Sequence, residues 1–154
     1  MRGKAVPYTT SIQVPMMMRW PGRIPENEVD RRIVANIDIA PTILDAAGIS
    51  PDHPMDGRSV LKRSSRDRIL MEYTFMEGFE APNWASLRTK TWQYTEYFKR
   101  DRTGIRSREY YDLKRDPWQL HNLLGDEDPA NDPNVGALTR RLARSQVCAG
   151  AECP

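Results

Sequence analysis

Two hydrophobic periods occur in this chain, and they exclude a fold built from one repeating element. Between Asp38 and Gly48, Ile39, Ile43, Leu44 and Ala47 recur at helical spacing. From Arg68 to Tyr73 and again from Ala85 to Phe98 the pattern alternates every second residue and is rich in aromatic side chains and threonine. A helix returns to the same face after about 3.6 residues and a strand after about two, so one sequence pattern cannot serve as the other. The chain must combine helix and sheet, an α/β class.

The boundaries follow from local chemistry. Asp38 is expected at the N-cap of a helix over about 38–48, with Pro41 in the first turn and Gly48 at the left-handed C-cap. Upstream, Ile12 to Trp20 is a nearly continuous apolar run closed by Pro21-Gly22, the pattern of a strand buried on both faces over about 12–20. Pro15 fits that strand only at its first residue, because it has no N–H to donate. Ser50 to Arg66 reads as a long connector. In the alternating segment Leu87, Thr89, Thr91 and Gln93 are expected on one face and Trp92 and Tyr94 on the other, with Thr-Lys-Thr turning the chain. A further strand is expected at 108–113, an exposed loop at 127–134, and an amphipathic helix at 135–147 carrying Val135, Leu138 and Leu142 on its apolar side. Residues 1–66 thus form one unit, part of a larger sheet domain, and residues 67–154 a small antiparallel sheet with a terminal helix.

Composition narrows the function. Hydrophobic residues make up 39% and charged residues 29% of the 154, which suits a folded chain with a modest core. The 23 basic and 21 acidic residues leave a net charge of +2, too small a field to gather a nucleic acid at long range. The longest purely apolar runs fall far short of the roughly 18 residues needed to cross a bilayer. The N-terminus, Met1-Arg2-Gly3-Lys4, does not lead into the apolar region of a secretory signal. Cys148 and Cys153 enclose four residues, a spacing for a small disulfide loop or for two free thiols. No metal is expected on this chain, because His53 and His121 lie far apart without ligand spacing. There is no H-E-x-x-H, G-x-S-x-G or phosphate-binding glycine loop, so no complete catalytic set is present.

Ordered segments carry the reading further. Gly3-Lys4 with Tyr8 and SIQVPMMMRWPG, then NIDIAPTILDAAGI, MDGRSVL, SLRTKTWQYTEYF and EYYDLKRDPWQLHNLL, resemble in order the C-terminal landmarks of the formylglycine-dependent sulfatases, members of the alkaline phosphatase superfamily. The helix followed by CAGAEC resembles the tail of the extracellular glucosamine-6-sulfatase branch. The resemblance implies a C-terminal fragment of an alkaline-phosphatase-like sulfatase, which hydrolyses aryl or carbohydrate sulfate esters when complete. It implies that Lys4 contacts the sulfate group, where a fixed ammonium stabilises the charge that develops in the transition state. Calcium and formylglycine are implied for the full-length enzyme; the C/S-x-P-x-R motif that supplies the formylglycine does not occur here.

Thr9 stands where the family commonly has Glu, and Gln13 where it commonly has Arg, so an ion pair beside Lys4 is expected to be absent or replaced. Trp84 is a candidate rim residue for stacking on a substrate ring, while Trp118, Leu120 and Leu123 are expected to anchor packing. The partners implied are a sulfated small molecule or carbohydrate and the missing N-terminal half of the domain, with the full-length protein extracellular or periplasmic. A non-catalytic binding module, or a phosphodiesterase or phosphonate hydrolase of the same superfamily, is the alternative.

Overall fold

The computed structural model describes residues 5–63, 66–77 and 81–154. After a short helix α1 (Thr9–Ile12), the chain reaches a 3-10 turn (Asn36–Asp38) that runs into α2 (Ile39–Ala47). Four strands follow, β1 (Arg68–Tyr73), β2 (Trp84–Thr89), β3 (Trp92–Phe98) and β4 (Ile105–Asp112), then α3 (Val135–Gln146) and a 3-10 turn (Gly150–Glu152). The strands form one antiparallel sheet in the order β1-β2-β3-β4.

The β2–β3 hairpin fixes which residues share a face. Leu87 lies opposite Tyr94 and Arg88 opposite Gln93, so the turn at Lys90-Thr91 carries the alternation through in mirror order. Leu87 and Gln93, expected on the same face, lie on opposite faces, because the antiparallel register and not the linear count decides the side. One face is apolar. Leu70, Ala85, Leu87, Trp92, Tyr94 and Tyr110 meet Val135, Leu138 and Leu142 of α3, with Ala85, Leu87, Tyr94 and Leu142 fully buried. Asn134 caps this helix by accepting from Ala137 N at 3.0 Å. Each large side chain sealed in this layer contributes about 2 kcal/mol. The opposite face is polar yet buried, holding Ser86, Gln93 and Thr95 at zero exposure.

The first unit departs from expectation. Residues 13–20 form no strand, and Val14, Met16, Met17 and Met18 stand exposed. A strand buried on both faces needs neighbours on both edges, and no described strand of this chain lies beside it. α2 begins and ends as expected, with Gly48 at φ 70° and Ile49 N donating to Leu44 O at 2.9 Å. Its apolar stripe is not covered: Ile39 and Ile43 are 47% and 61% exposed. The buried residue is Thr42, whose hydroxyl donates to Asp38 O and accepts from Val60 N.

Asp38 is the last residue before α2 but does not cap it with its side chain. Its carboxylate accepts from Ala35 N and Arg58 N at 2.8 Å each and from Arg66 Nη2 at 2.5 Å, binding the connector to the start of the helix. Gly57 permits the close approach, since a side chain there would collide with the Ile37 carbonyl. Trp118 and Leu120, expected as packing anchors, are 68% and 73% exposed. The Asp116 carboxylate accepts from Leu120 N and His121 N, and Gln119 adopts φ 60°, so Gln119 turns inward and its neighbours turn out. Cys148 and Cys153 are joined by a disulfide, and their loop is tied to the connector by Gly150 N to Asp56 Oδ1 and Arg58 Nη2 to Cys153 O.

Candidate functional site

The polar face of the sheet is covered by the chain's own N-terminal segment. Pro7 is fully buried there, and three side chains from different parts of the sheet unit bind successive odd-numbered residues of the segment. Trp84 Nε1 donates to Ala5 O at 2.9 Å, and Gln93 Nε2 donates to Pro7 O at 2.5 Å. Gln119 Oε1 accepts from Thr9 N at 2.6 Å and from Thr9 Oγ1 at 2.7 Å. A segment fixed at residues 5, 7 and 9 has little freedom left, and the Trp84 indole and the Gln93 amide gain the partners their burial demands, while Gln119 Nε2 has none among the described residues.

Between these contacts Tyr8 points at the sheet. Its hydroxyl donates to Glu109 Oε1 at 3.0 Å, and Tyr97 donates to Glu109 Oε2 at 2.9 Å. Tyr111 packs edge-on against the Tyr8 ring with centroids 6.3 Å apart. Burial, with the Glu109 charge adding to it, raises the pKa values of Tyr97 and Tyr111; burial likewise raises that of Tyr8. All three remain neutral donors at ordinary pH. The Glu109 carboxylate is taken up by the two tyrosine hydroxyls, so the cluster joins the segment to the sheet. Sequence reasoning missed it because Tyr97, Tyr111 and Glu109 are brought together by strand register and Tyr8 reaches them from a position 101 residues away from Glu109 in sequence, although the abundance of tyrosine in 94–111 was a signal.

Lys4, the residue expected to contact sulfate, lies outside the described residues. Thr9 takes part in the cradle through Gln119, and Gln13 follows α1 as its C-cap. Trp84 is not on a rim: it is 5% exposed, stacked on Tyr73 with centroids 6.2 Å apart. A ring that deeply buried offers no face to a sugar. His53 pairs with its neighbour Asp52 on the surface, and no group of three His, Cys, Asp or Glu suited to a metal occurs among the described residues. A second buried polar cluster surrounds Asp38. Arg66 Nη1 has no partner among the described residues, and beside it lies a cavity of about 10 Å³, room for one water.

A structure solved in complex with its substrate D-glucosamine-2-N,6-O-disulfate superposes on 71% of this chain and 23% of its own with a TM-score of 0.56 at 23% identity, a likeness of fold. The bovine (Bos taurus) N-acetylglucosamine-6-sulfatase is 31% identical over 180 residues, covering 95% of this chain and 31% of the relative. The extracellular sulfatase SULF-1 homolog of Drosophila melanogaster is 43% identical over 60 residues, 39% of this chain and 5% of that protein. Residues 3–147 match the family described as N-sulphoglucosamine sulphohydrolase, C-terminal, and the chain belongs to that family. It spans about a third of the length of the bovine relative.

Proposed function

We propose that this chain is the C-terminal portion of a sulfatase acting on sulfated carbohydrates, and that its contribution to the reaction is to present Lys4 to the sulfate group. The observation that carries this reading is the cradle on residues 5–9, within a chain matched to the sulfatase family from residue 3. A lysine that stabilises a sulfate oxygen must be held in place before the reaction, because the electrostatic gain depends on the ammonium being fixed. Three side-chain clamps on residues 5, 7 and 9 are what supports that reading.

The carbohydrate class is supported by the relatives, one described as an N-acetylglucosamine-6-sulfatase and one solved with a disulfated glucosamine. Formylglycine would supply the nucleophile and calcium a clamp on the sulfate oxygens; both belong to parts of such an enzyme that this chain does not contain. The exposed Met16–Met18 run and the bare stripe of α2 are the surfaces on which the rest of the domain would pack. The disulfide and the likeness to an extracellular sulfatase support a place outside the cytoplasm.

The test has two arms. The 154-residue chain alone, supplied with calcium, should not hydrolyse 4-nitrophenyl sulfate or glucosamine 6-sulfate. In a polypeptide that also carries the upstream portion of the domain, Lys4→Ala should lower kcat by about 10²–10³. Turnover that tracks the purified 154-residue chain, or an undiminished kcat in the Lys4 variant, would overturn the assignment.

A further inference from the structure

Away from the polar face, a groove of about 710 Å³ opens between α3, the β1 edge and the disulfide loop. Three guanidiniums line it, those of Arg68, Arg141 and Arg144, together with Ser145 and one carboxylate, Glu152. Ala137, Arg141, Arg144 and Ser145 fall at helical spacing on one side of α3, and the small Ala137 and Ser145 keep the floor open. The opposite wall is Arg68, the first residue of β1.

Two of the guanidiniums are held in position. Asp67 accepts from Arg68 Nη1 at 2.8 Å and from Arg141 Nη2 at 2.9 Å, so one carboxylate braces both walls. The Arg141 guanidinium also lies 6.0 Å from the Trp92 ring centre. A guanidinium has five N–H donors, and Asp67 uses only part of each set. Arg68 Nε is buried without a partner among the described residues. Three positive groups against Asp67 and Glu152 leave one net positive charge: enough to select an anionic group at contact, too little to gather a long polyanion. The volume is within the range of about 300–1,000 Å³ that holds one small ligand.

We propose that this groove binds a sulfate group of a sulfated oligosaccharide, at a site separate from the one where a sulfate ester would be cleaved. The choice of a saccharide rests on the proposed sulfatase function; the anion site itself rests on the three arginines. A sulfated chain held here would dock by a residue that is not being hydrolysed.

The experiment is a calorimetric titration of the 154-residue chain with a heparin-derived tetrasaccharide, its desulfated counterpart and a single-stranded DNA hexamer. The sulfated tetrasaccharide should bind, the desulfated one should not, and the DNA should bind more weakly. Arg144→Gln should weaken the sulfated ligand about three- to fivefold. Arg106→Gln, which removes the same charge from an exposed position on β4 at the far edge of the sheet, should leave binding unchanged. No binding of the sulfated ligand, equal binding of the desulfated one, equal effects of the two variants, or DNA bound as tightly as the saccharide would each overturn the proposal. None of these outcomes bears on Lys4 or on hydrolysis, so the groove can fail while the proposed function stands.

Discussion

Removing the Asp38 carboxylate should be far more costly than removing any surface charge of this chain. The Asp38 and Arg66 side chains are 3% and 2% exposed, and the carboxylate also serves two backbone N–H groups, those of Ala35 and Arg58. Asp38→Ala leaves a guanidinium buried without its counter-charge and two amides without acceptors. Breaking a buried pair from one side costs about 3–5 kcal/mol. The Asp30–Arg32 pair is the internal control: its side chains are 44% and 29% exposed, and losing such a contact costs about 1 kcal/mol or less. Urea unfolding of the 154-residue chain, followed by tryptophan fluorescence, measures both. With a slope of about 2 kcal/mol per molar urea, Asp38→Ala should lower the midpoint by about 1.5–2.5 M and Asp30→Ala by about 0.5 M at most. The double variant Asp38→Ala/Arg66→Met should cost less than the two single changes added together, because neither buried charge is then left alone. Equal midpoint losses for Asp38→Ala and Asp30→Ala, or strict additivity in the double variant, would refute the buried-pair account.

Alkaline pH should unfold the sheet through its tyrosines. Burial and the hydrogen bond to Glu96 push Tyr94 up to about 12, and burial raises Tyr8, Tyr97 and Tyr111 as well. The unfolded chain releases these protons near pH 10 while the folded chain keeps them, so stability is fully present below about pH 10 and falls above it. Each tyrosine still protonated only in the folded state subtracts about 1.4 kcal/mol per pH unit, and a chain equally stable at pH 9 and pH 11 in circular dichroism would contradict the cluster. Reducing the Cys148–Cys153 disulfide, five residues apart in sequence, should lower stability by about 2 kcal/mol, the value for so short a loop, and should release the tail from Asp56 and Arg58. Amide exchange at Gly150 measures that release, and unchanged protection there after reduction would refute it.

The sheet and its helix were legible in the sequence because their signals are local. β1 spans Arg68–Tyr73 as the alternation indicates, and α3 ends one residue before the expected limit. What could not be read was everything set by partners distant in sequence. β4 starts at Ile105, three residues before the expected 108, because Phe98 across the hairpin pairs with it. Gln93, placed by linear counting on the wrong side, ends beneath Pro7 because the register of β2 and β3 puts it there. The expected strand at 12–20 failed for the converse reason: its apolar pattern describes neighbours that this chain does not provide. The exposed stripe of α2 has the same origin, since an amphipathic helix declares a buried face whether or not the covering element is present.

The polar face shows why a small sheet unit would be retained at the end of a larger domain. A sheet whose only purpose was its own stability would gain more from apolar residues at the buried positions of Ser86, Gln93 and Thr95, because polar groups placed there must all find partners to avoid a penalty of about 1–3 kcal/mol each. Ser86 and Thr95 satisfy each other across the strands at 2.9 Å. Gln93 Nε2, Trp84 Nε1 from β2 and Gln119 Oε1 from the loop after β4 are given to the segment at 5–9, while Gln93 Oε1 accepts from Arg88 Nη1 within the sheet. Apolar replacements would preserve the α3 layer and abandon the segment. The polar composition therefore leaves the α3 layer intact and ties the sheet unit to the segment at 5–9, at the cost of one unpartnered amide nitrogen on Gln119 among the described residues, which is the arrangement expected if holding that segment is what the unit contributes under the proposed function.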